Sequence, residues 1–235
     1  MTDMTLAEAL LLVALDDEKG DDTANWGSGI EAGLAGAILL ELALAGCVKP
    51  EDGKLVAQEC DAPPEGPLAA EALELLRAED RPRDAKTWVA RLKKELSPLR
   101  RRAAERLVER GVLDEEQRKW LGLFSATAYP ERDPEPERRL RADLTDVLVT
   151  GREPSAHEAM LVSLLHANDL VRRVVPKEDR KQARGRAKEI ADGENVGAAV
   201  SRVVNDFDVA TMTAVISATA VTTSFGGDGG GGGGS

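Results

Sequence analysis

The sequence predicts an all-α, mainly helical protein: a central bundle of buried apolar helices wrapped by amphipathic helices, with one or two small β-hairpins. Residues 33–45 are apolar or small at every position except Glu41. A helix that is apolar all round has no face to offer to water, so it belongs inside a bundle. Aromatic residues make up only 3% of the chain, which leaves leucine, valine and alanine to fill that core.

We expect the central helix to span residues 29–45. Ser28 is suited to cap its start, since Glu31 three residues later completes the capping-box pattern. Gly46 stands where a C-terminal cap is expected. The stretch is shorter than the ~20 residues that a membrane span needs, which favours a place in a protein core.

The other elements follow from local patterns. A second strongly apolar helix is predicted over 6–15, with Thr5 and Glu8 in capping-box positions. Residues 47–59 carry two short β-type runs around a Pro-Glu-Asp-Gly turn, which predicts a hairpin. A β-prone run covers 124–129, and the run 209–221 fits either a helix or a strand. Apolar spacing predicts further helices over 68–78, 84–92, 99–110, 114–121, 138–148, 153–175, 179–190 and 196–204.

The chain is long enough to form one domain. With 235 residues, of which 42% are apolar, it can bury a core of its own, and we assign residues 1–224 to a single helical domain. A polar loop is expected over 16–25. The glycine-rich residues 225–235 are predicted to be a disordered tail.

Charge and cysteine content limit the classes of partner and compartment. The formal net charge of −11 argues against nucleic-acid binding and against broad attraction to anionic membranes, so an anionic ligand needs a local basic patch. Cys47 and Cys60 are interpreted as free thiols in a reducing cytosol rather than as a metal site, because neither has a second ligand at short spacing. Asp3 and Glu8 stand where a signal peptide needs a basic and then an apolar region. We therefore expect a cytoplasmic protein.

The sequence contains no pattern of a known catalytic or phosphate-binding loop, and we expect no enzyme activity, no cofactor and no metal. Its two histidines are His157 and His166. On a helix, His166 and Asp169 are neighbours, which suits an acid–base pair but equally an ordinary capping or hydrogen-bonding pair. We favour the structural interpretation.

Two features depart from the rest of the sequence. The stretch 93–110 holds seven basic side chains against three acidic ones. Its triplet Arg100, Arg101 and Arg102 follows a proline near a predicted helix start, where an anion can bind, although a solvated helix face is the alternative. Trp26 lies in the loop before the central helix, where a tryptophan either covers the core or contacts a ligand or membrane.

Five ordered segments of the sequence resemble the Golgi phosphoprotein 3 family, whose domain also occurs in actinobacteria. They are 10–20 (LLLVALDDEKG), 33–46 (GLAGAILLELALAG), 61–63 (DAP), 107–113 (LVERGVL) and 166–170 (HANDL). The likeness extends from about residue 6 to residue 220. It implies a bacterial, actinobacterial member with a helical fold and a protruding β-hairpin that serves membrane contact or self-association.

The resemblance also implies a function. Eukaryotic members bind phosphatidylinositol 4-phosphate at membrane surfaces and act as adaptors, not enzymes, that retain Golgi glycosyltransferases. The family's headgroup pocket maps here onto Trp26 and Arg100, with Arg101 as a further candidate, whereas two of its basic positions are Ala35 and Ser97. Since a basic contact near a membrane contributes about 1 kcal/mol, two losses weaken the site roughly thirty-fold.

The same resemblance leaves two functions open. The first is a peripheral, lipid-binding adaptor at the inner face of the membrane, which binds an anionic phospholipid headgroup. The second is a protein-interaction or self-assembly module that has lost lipid binding, favoured by Ala35, Ser97 and the charge of −11. The family's hairpin maps onto 124–137, with Glu131-Arg132-Asp133 as its tip, which is poorly suited to a bilayer and leaves homo-oligomer formation as its role.

Overall fold

The computed structural model describes residues 4–15, 29–62, 64–120 and 124–193, together with Val215 and Ser217. Within these ranges the chain is mostly helical, and its strands form small antiparallel hairpins. The predicted all-α class with a buried apolar centre is confirmed. The predicted segments 16–25, 196–204, most of 209–221 and the tail 225–235 lie outside the described residues.

Helices α1 (Leu6–Ala14) and α2 (Gly29–Leu44) form an antiparallel pair at the centre of the core. Every residue of α1 is buried, as its apolar run predicts. The predicted capping box is present, because Thr5 Oγ1 accepts the N–H of Glu8 while the Glu8 carboxylate accepts the N–H of Thr5. The first N–H of α1 donates to Glu41 Oε2 at 2.6 Å. The start of α1 therefore lies beside the last turns of α2.

The other helices pack on this pair from two sides. On one side, three helices contact α2: α3 (Pro67–Arg77), α4 (Ala85–Glu95) and α5 (Leu99–Glu109). On the other side, α7 (Ala156–Ala167) contacts both central helices. Further segments complete that side: α6 (Glu135–Thr145), a π-helical turn (Asp146–Thr150), α8 (Val171–Val174), a 3-10 turn (Lys177–Asp179) and α9 (Arg180–Ala191).

A glycine lets α7 approach α2 closely. A Cβ atom at Gly33 would lie 3.2 Å from both Leu10 Cδ2 and Asn168 Oδ1, so a larger side chain would push these neighbours away. Asn168 is the C-terminal cap of α7. The end of α7 is therefore packed against the first turns of α2, and α7 runs antiparallel to it.

The hairpin predicted over 47–59 is confirmed. Strands β1 (Val48–Glu51) and β2 (Lys54–Ala57) pair antiparallel. Both turn residues, Asp52 and Gly53, have left-handed backbones, with φ of 51° and 72°. Such angles are typical of the tight two-residue turns that suit the twist of a hairpin.

The helix predicted over 114–121 is wrong. Residues Glu116–Trp120 form strand β3, which pairs antiparallel with β4 (Phe124–Ala128) from Glu116↔Ala128 to Trp120↔Phe124. The segment contains good helix formers, but eight residues are too few for a stable helix without tertiary support. Pairing with the β-prone run beside it supplies backbone hydrogen bonds that an isolated helix would make only in part.

The hairpin expected over 124–137 is also wrong. The strand found inside it, β4, pairs with β3, which precedes it in the chain. Residues 121–123 therefore connect the two strands, and Glu131-Arg132-Asp133 does not. Glu131 forms an isolated bridge with Leu113 instead, close to the body of the domain. The sequence at the connection, Leu-Gly-Leu, is apolar where the expected tip is charged.

Two helix boundaries also differ from prediction. The single helix predicted over 153–175 is divided, because α7 ends before Asp169, whose φ of 54° is left-handed, and α8 then starts a new turn. The helix predicted over 138–148 begins earlier, at the first residue of α6. Its Pro136 is tolerated there because the first turn of a helix needs no intrahelical partner for its N–H groups.

The two cysteines are bonded to each other, so the prediction of free thiols is wrong. Cys47 and Cys60 form a disulfide across the base of the β1–β2 hairpin. The hairpin between them folds the chain back, and the N–H of Gln58 donates to the Cys47 carbonyl at 2.7 Å, which brings the thirteen-residue separation within bonding reach. The bond also removes the argument for a reducing cytosol that unpaired thiols supplied.

Candidate anion-binding site at the start of helix α5

The start of α5 is joined to the start of α2 by one carboxylate. Glu31, in the first turn of α2, accepts the backbone N–H groups of Leu99 and Arg100, each at 3.0 Å. These are N–H groups that a helix start leaves unpaired, and a negative charge there is stabilised by the helix dipole. Each oxygen of the Glu31 carboxylate therefore accepts one N–H of α5. The capping box predicted for Glu31 with Ser28 stays a prediction, because Ser28 lies outside the described residues.

Arg100 is held against an aromatic ring. Its guanidinium carbon lies 5.9 Å from the centre of the Tyr129 ring, within the range of a cation–π contact. Tyr129 directly follows β4 and is 2% exposed. The residue after the second hairpin thus contacts the arginine side chain that the family resemblance predicts for a headgroup pocket.

The Tyr129 hydroxyl is a second polar group at this place. It is buried and has no hydrogen-bond partner among the described residues. Burial raises the pKa of Tyr129, with the charges of Glu115 and Glu105 adding to the rise while Arg101 and Arg100 oppose it. The phenol therefore stays protonated, and it can donate a hydrogen bond to an anionic oxygen. Sequence reasoning missed it, although it is the single tyrosine of the chain.

The other two arginines of the triplet have different roles. Arg101 is exposed and pairs with Glu105, one turn further along α5, at 2.7 Å. That hydrogen bond raises the pKa of Arg101. Arg102 is turned inward and binds both oxygens of Glu71 on α3, at 2.6 and 3.0 Å. Arg101 therefore remains accessible to a ligand, whereas Arg102 ties two helices together.

The two positions at which a basic residue is missing differ in access. Ala35 is fully buried in the core, so no ligand reaches that position. Ser97 is exposed and precedes Pro98 at the entry to α5. Trp26, the remaining predicted site residue, lies outside the described residues.

The histidines do not form the considered acid–base pair. The Asp169 carboxylate binds Arg184 and lies 3.7 Å from Arg172 instead of pairing with His166. His157 lies 3.8 Å from Glu41 between α7 and α2. Burial lowers the pKa of His157 and raises the pKa of Glu41, so each is shifted toward its neutral form.

The described residues offer neither a metal site nor a membrane-spanning helix. The part of the chain that the structure describes contains no group of three or more His, Cys, Asp or Glu residues arranged to hold a metal ion. None of the helices in those ranges has the length and apolarity required to cross a bilayer.

Together, these features define a mainly helical domain with an apolar central helix pair and a basic helix start supported by a hairpin. The sequence model of the Golgi phosphoprotein 3 family (GPP34) matches residues 6–207, well over half of the chain. The protein belongs to the Golgi phosphoprotein 3 family.

Proposed function

We propose that the protein is a peripheral membrane adaptor that binds an anionic, phosphatidylinositol 4-phosphate-like headgroup at the start of α5. The observation that carries the proposal is the grouping of Arg100, the exposed Arg101 and the unpaired, buried Tyr129 hydroxyl. Two guanidinium groups and one phenol are donors that suit a phosphate. Membership of the family supports an adaptor-like role.

The contact between Glu31 and α5 determines which protein groups can bind the headgroup. Because its carboxylate already accepts the first N–H groups of α5, a phosphate has to be held by side chains rather than by the helix backbone. The carboxylate also repels a phosphate placed next to it. The site is therefore expected to bind more weakly than a helix start whose N–H groups are open.

Trp26 is the third predicted contributor. It precedes the first residue of α2 by three positions, and three residues span at most about 11 Å. The start of α2 is itself linked to α5 through Glu31. An indole close to a headgroup site suits the membrane interface, where tryptophan is enriched.

The β3–β4 hairpin supplies an apolar contact for the same membrane. Its ladder ends at the pair Trp120↔Phe124, and the sequence between them is Leu-Gly-Leu. Aromatic and leucine side chains are the types that enter the boundary between headgroups and acyl chains. The hairpin also carries Tyr129 at its end, so membrane contact and the headgroup site belong to one element.

Flotation with vesicles tests the proposal. We expect wild-type protein to be recovered with vesicles that contain phosphatidylinositol 4-phosphate, and Arg100→Ala with Arg101→Ala to reduce the partition coefficient roughly thirty-fold, at about 1 kcal/mol for each contact. Arg106→Ala on the same helix is the matched control, because Arg106 pairs with Glu109. Equal recovery of wild type and the double variant would reject the headgroup site.

Tyr129→Phe isolates the phenol. The variant keeps the ring that contacts Arg100 and removes only the hydroxyl, so the fold should be unchanged while headgroup affinity falls several-fold. An unchanged affinity would show that the hydroxyl does not face the ligand.

Self-assembly through the hairpin is the second candidate function. Among the described strands, β3 and β4 pair only with each other, so each keeps an edge that another chain can extend. We expect Trp120→Ser with Phe124→Ser to convert an oligomer into a monomer in light scattering if this function applies. A monomeric wild-type protein that binds vesicles would reject it.

The proposal includes no enzyme activity. The Asp169 carboxylate binds Arg184, and the Asp169 N–H donates to the His166 carbonyl, which is the ordinary hydrogen-bonding arrangement of a helix end. A screen for turnover whose signal is lost in His166→Ala would contradict this part of the proposal.

A further inference from the structure

A second region of the chain is more basic than α5, although the chain as a whole is acidic. Residues 172–188 hold eight Lys and Arg side chains against two acidic ones, a local net charge of +6 in a chain of net charge −11. They cover α8, the 3-10 turn and most of α9. Six of the eight are exposed, and they are named here the α9 surface: Arg172, Lys177, Arg180, Lys181, Arg184 and Lys188.

Helix α9 places three of these charges on one face. Lys181, Arg184 and Lys188 follow one another at steps of three and four residues, and Lys177 lies in the 3-10 turn just before the helix. At a rise of 1.5 Å per residue, the three helical positions span about 10 Å. The two other arginines of the region point elsewhere: Arg173 donates to the carbonyls at the end of α1, and Arg186 binds Glu189.

Three charges of the α9 surface have no partner among the described residues, and the other three lie beside the exposed carboxylates of Asp169 and Asp192. Within the part of the chain that the structure describes, Lys177, Arg180 and Lys181 make no ion pair and no side-chain hydrogen bond. Arg184 pairs with Asp169 where both side chains are 54% exposed. Such exposed pairs contribute only about 0–1 kcal/mol, so an external anion can replace the aspartate.

The position of α8 relates this surface to the proposed headgroup site. Arg173 binds the Ala14 and Leu15 carbonyls at 2.7 and 3.1 Å, which fixes α8 at the end of α1. Because α1 and α2 are antiparallel, the end of α1 lies at the same end of the central pair as the start of α2, where Glu31 holds α5. Helix α8, which carries Arg172, and the start of α5, which carries Arg100, therefore lie toward the same end of the central pair.

The cavity beside the α9 surface is lined mostly by polar side chains. It has a volume of about 540 Å³ and lies between the π-helical turn and α9, where Leu148 and Val149 line it together with Glu178, Lys181, Gln182, Arg186 and Glu189. Charge, and not an apolar pocket, is therefore what attracts a lipid surface to this region. Stacking on bases, which single-stranded nucleic acids use, needs aromatic rings, and residues 156–193 contain no Phe, Tyr or Trp.

We propose that the α9 surface is a second membrane contact that binds anionic phospholipids through charge, without selecting one headgroup. The inference rests on the proposed function, since it assumes that the protein acts at a membrane. It assigns the two contacts different tasks: the start of α5 selects the headgroup, and the α9 surface supplies attraction that depends on the charge density of the bilayer. Salt weakens it strongly, because exposed charges are screened over about 8–10 Å.

The test uses the full chain and vesicles of phosphatidylcholine with phosphatidylglycerol but no phosphoinositide. Lys177→Gln with Arg180→Gln and Lys181→Gln removes the three unpaired charges. At about fivefold for each cation, binding should fall by up to about 100-fold. Wild-type binding should also decrease steeply with added salt.

A control variant changes charge equally elsewhere. Lys54→Gln with Lys86→Gln and Arg139→Gln removes three exposed cations from β2, α4 and α6. This variant should bind like wild type. Equal binding by wild type and the α9 variant, or an equal loss in the control, would overturn the inference, even if the α9 variant then loses binding to a nucleic acid or an acidic protein.

The two membrane contacts can fail separately. If Arg100→Ala leaves phosphoinositide selectivity unchanged while the α9 variant loses binding to phosphatidylglycerol, the headgroup site is rejected and the α9 surface stands. If the α9 variant binds phosphatidylglycerol normally while Arg100→Ala loses selectivity, the reverse holds. Circular dichroism of each variant verifies that the helices are intact.

Discussion

Helices α5 and α9 have similarly basic sequences, but they use their charges in different ways. On α5, Arg102 binds Glu71, and Arg110 at the C-terminal cap binds the buried Glu8. On α9, Lys181 is exposed and has no partner among the described residues, and the partners of Arg184 and Lys188, which are Asp169 and Asp192, are themselves exposed. The number of charges on a helix therefore does not identify a site. The partners that the fold provides decide which charges hold the domain together and which are left for a ligand.

The largest expected effect concerns the most buried ion pair of α5. Arg110 Nη1 lies 2.9 Å from Glu8 Oε2, and the Glu8 side chain is only 5% exposed. Arg110→Met would leave this buried carboxylate without its cation, and we expect the free energy of unfolding to fall by about 3 kcal/mol or more. Urea denaturation measures the change. A loss below about 1 kcal/mol would show that the pair contributes no more than an exposed one.

The disulfide provides the next largest effect, and it lies on the α5 side of the central pair. Opening the loop closed by Cys47 and Cys60 in Cys60→Ser should reduce the free energy of unfolding by about 3 kcal/mol, through the added freedom of the unfolded chain. Binding to phosphatidylglycerol vesicles, assigned to α9, should not change. A thiol titration that finds two reactive cysteines in the native protein would contradict the bond itself.

A smaller effect is expected where α2 and α5 meet. Glu31→Gln removes the charge that caps α5, which should cost about 1 kcal/mol of stability. It also removes the negative charge beside Arg100, so headgroup affinity should rise about threefold to fivefold. Denaturation measures the change in stability, and titration with a soluble headgroup measures the change in affinity. A fall in affinity would mean that the cap positions the site more than it repels the ligand.

The smallest effects separate ligand binding from stability. Arg101→Gln and Lys181→Gln each change an exposed side chain, so the free energy of unfolding should stay within about 0.5 kcal/mol of wild type. Both variants should nevertheless weaken vesicle binding, Arg101→Gln with phosphoinositide and Lys181→Gln without it. A large stability change in either variant would show a structural role that the described contacts do not include.

The sequence allowed the centre of the fold to be predicted because its signals are local. The apolar runs of α1 and α2, the capping box of Thr5 and Glu8, and the turn of the first hairpin all lie within a few residues of one another. The strand β3 was not predictable in this way, since its helix-forming residues become a strand only through pairing with β4. The helix propensity of residues 116–120 is overridden by their pairing with β4.

The candidate site was predicted only in part, because its geometry depends on distant contacts. Glu31 reaches α5 across 68 residues of sequence, and Tyr129 reaches Arg100 from the far side of a hairpin. Neither contact produces a periodic pattern in the sequence. Arg100 and Arg101 could be selected by charge and by family likeness, but the same reasoning passed over the α9 surface, whose six charges are all exposed.

A structure of the protein with inositol 1,4-bisphosphate tests the central claim most directly. The account predicts a phosphate within hydrogen-bond distance of the Arg100 guanidinium and of the Tyr129 hydroxyl, with Trp26 beside the ring and the Glu31 cap of α5 intact. A headgroup bound at another place, with Arg100 still stacked on Tyr129 and no phosphate near it, would contradict the account.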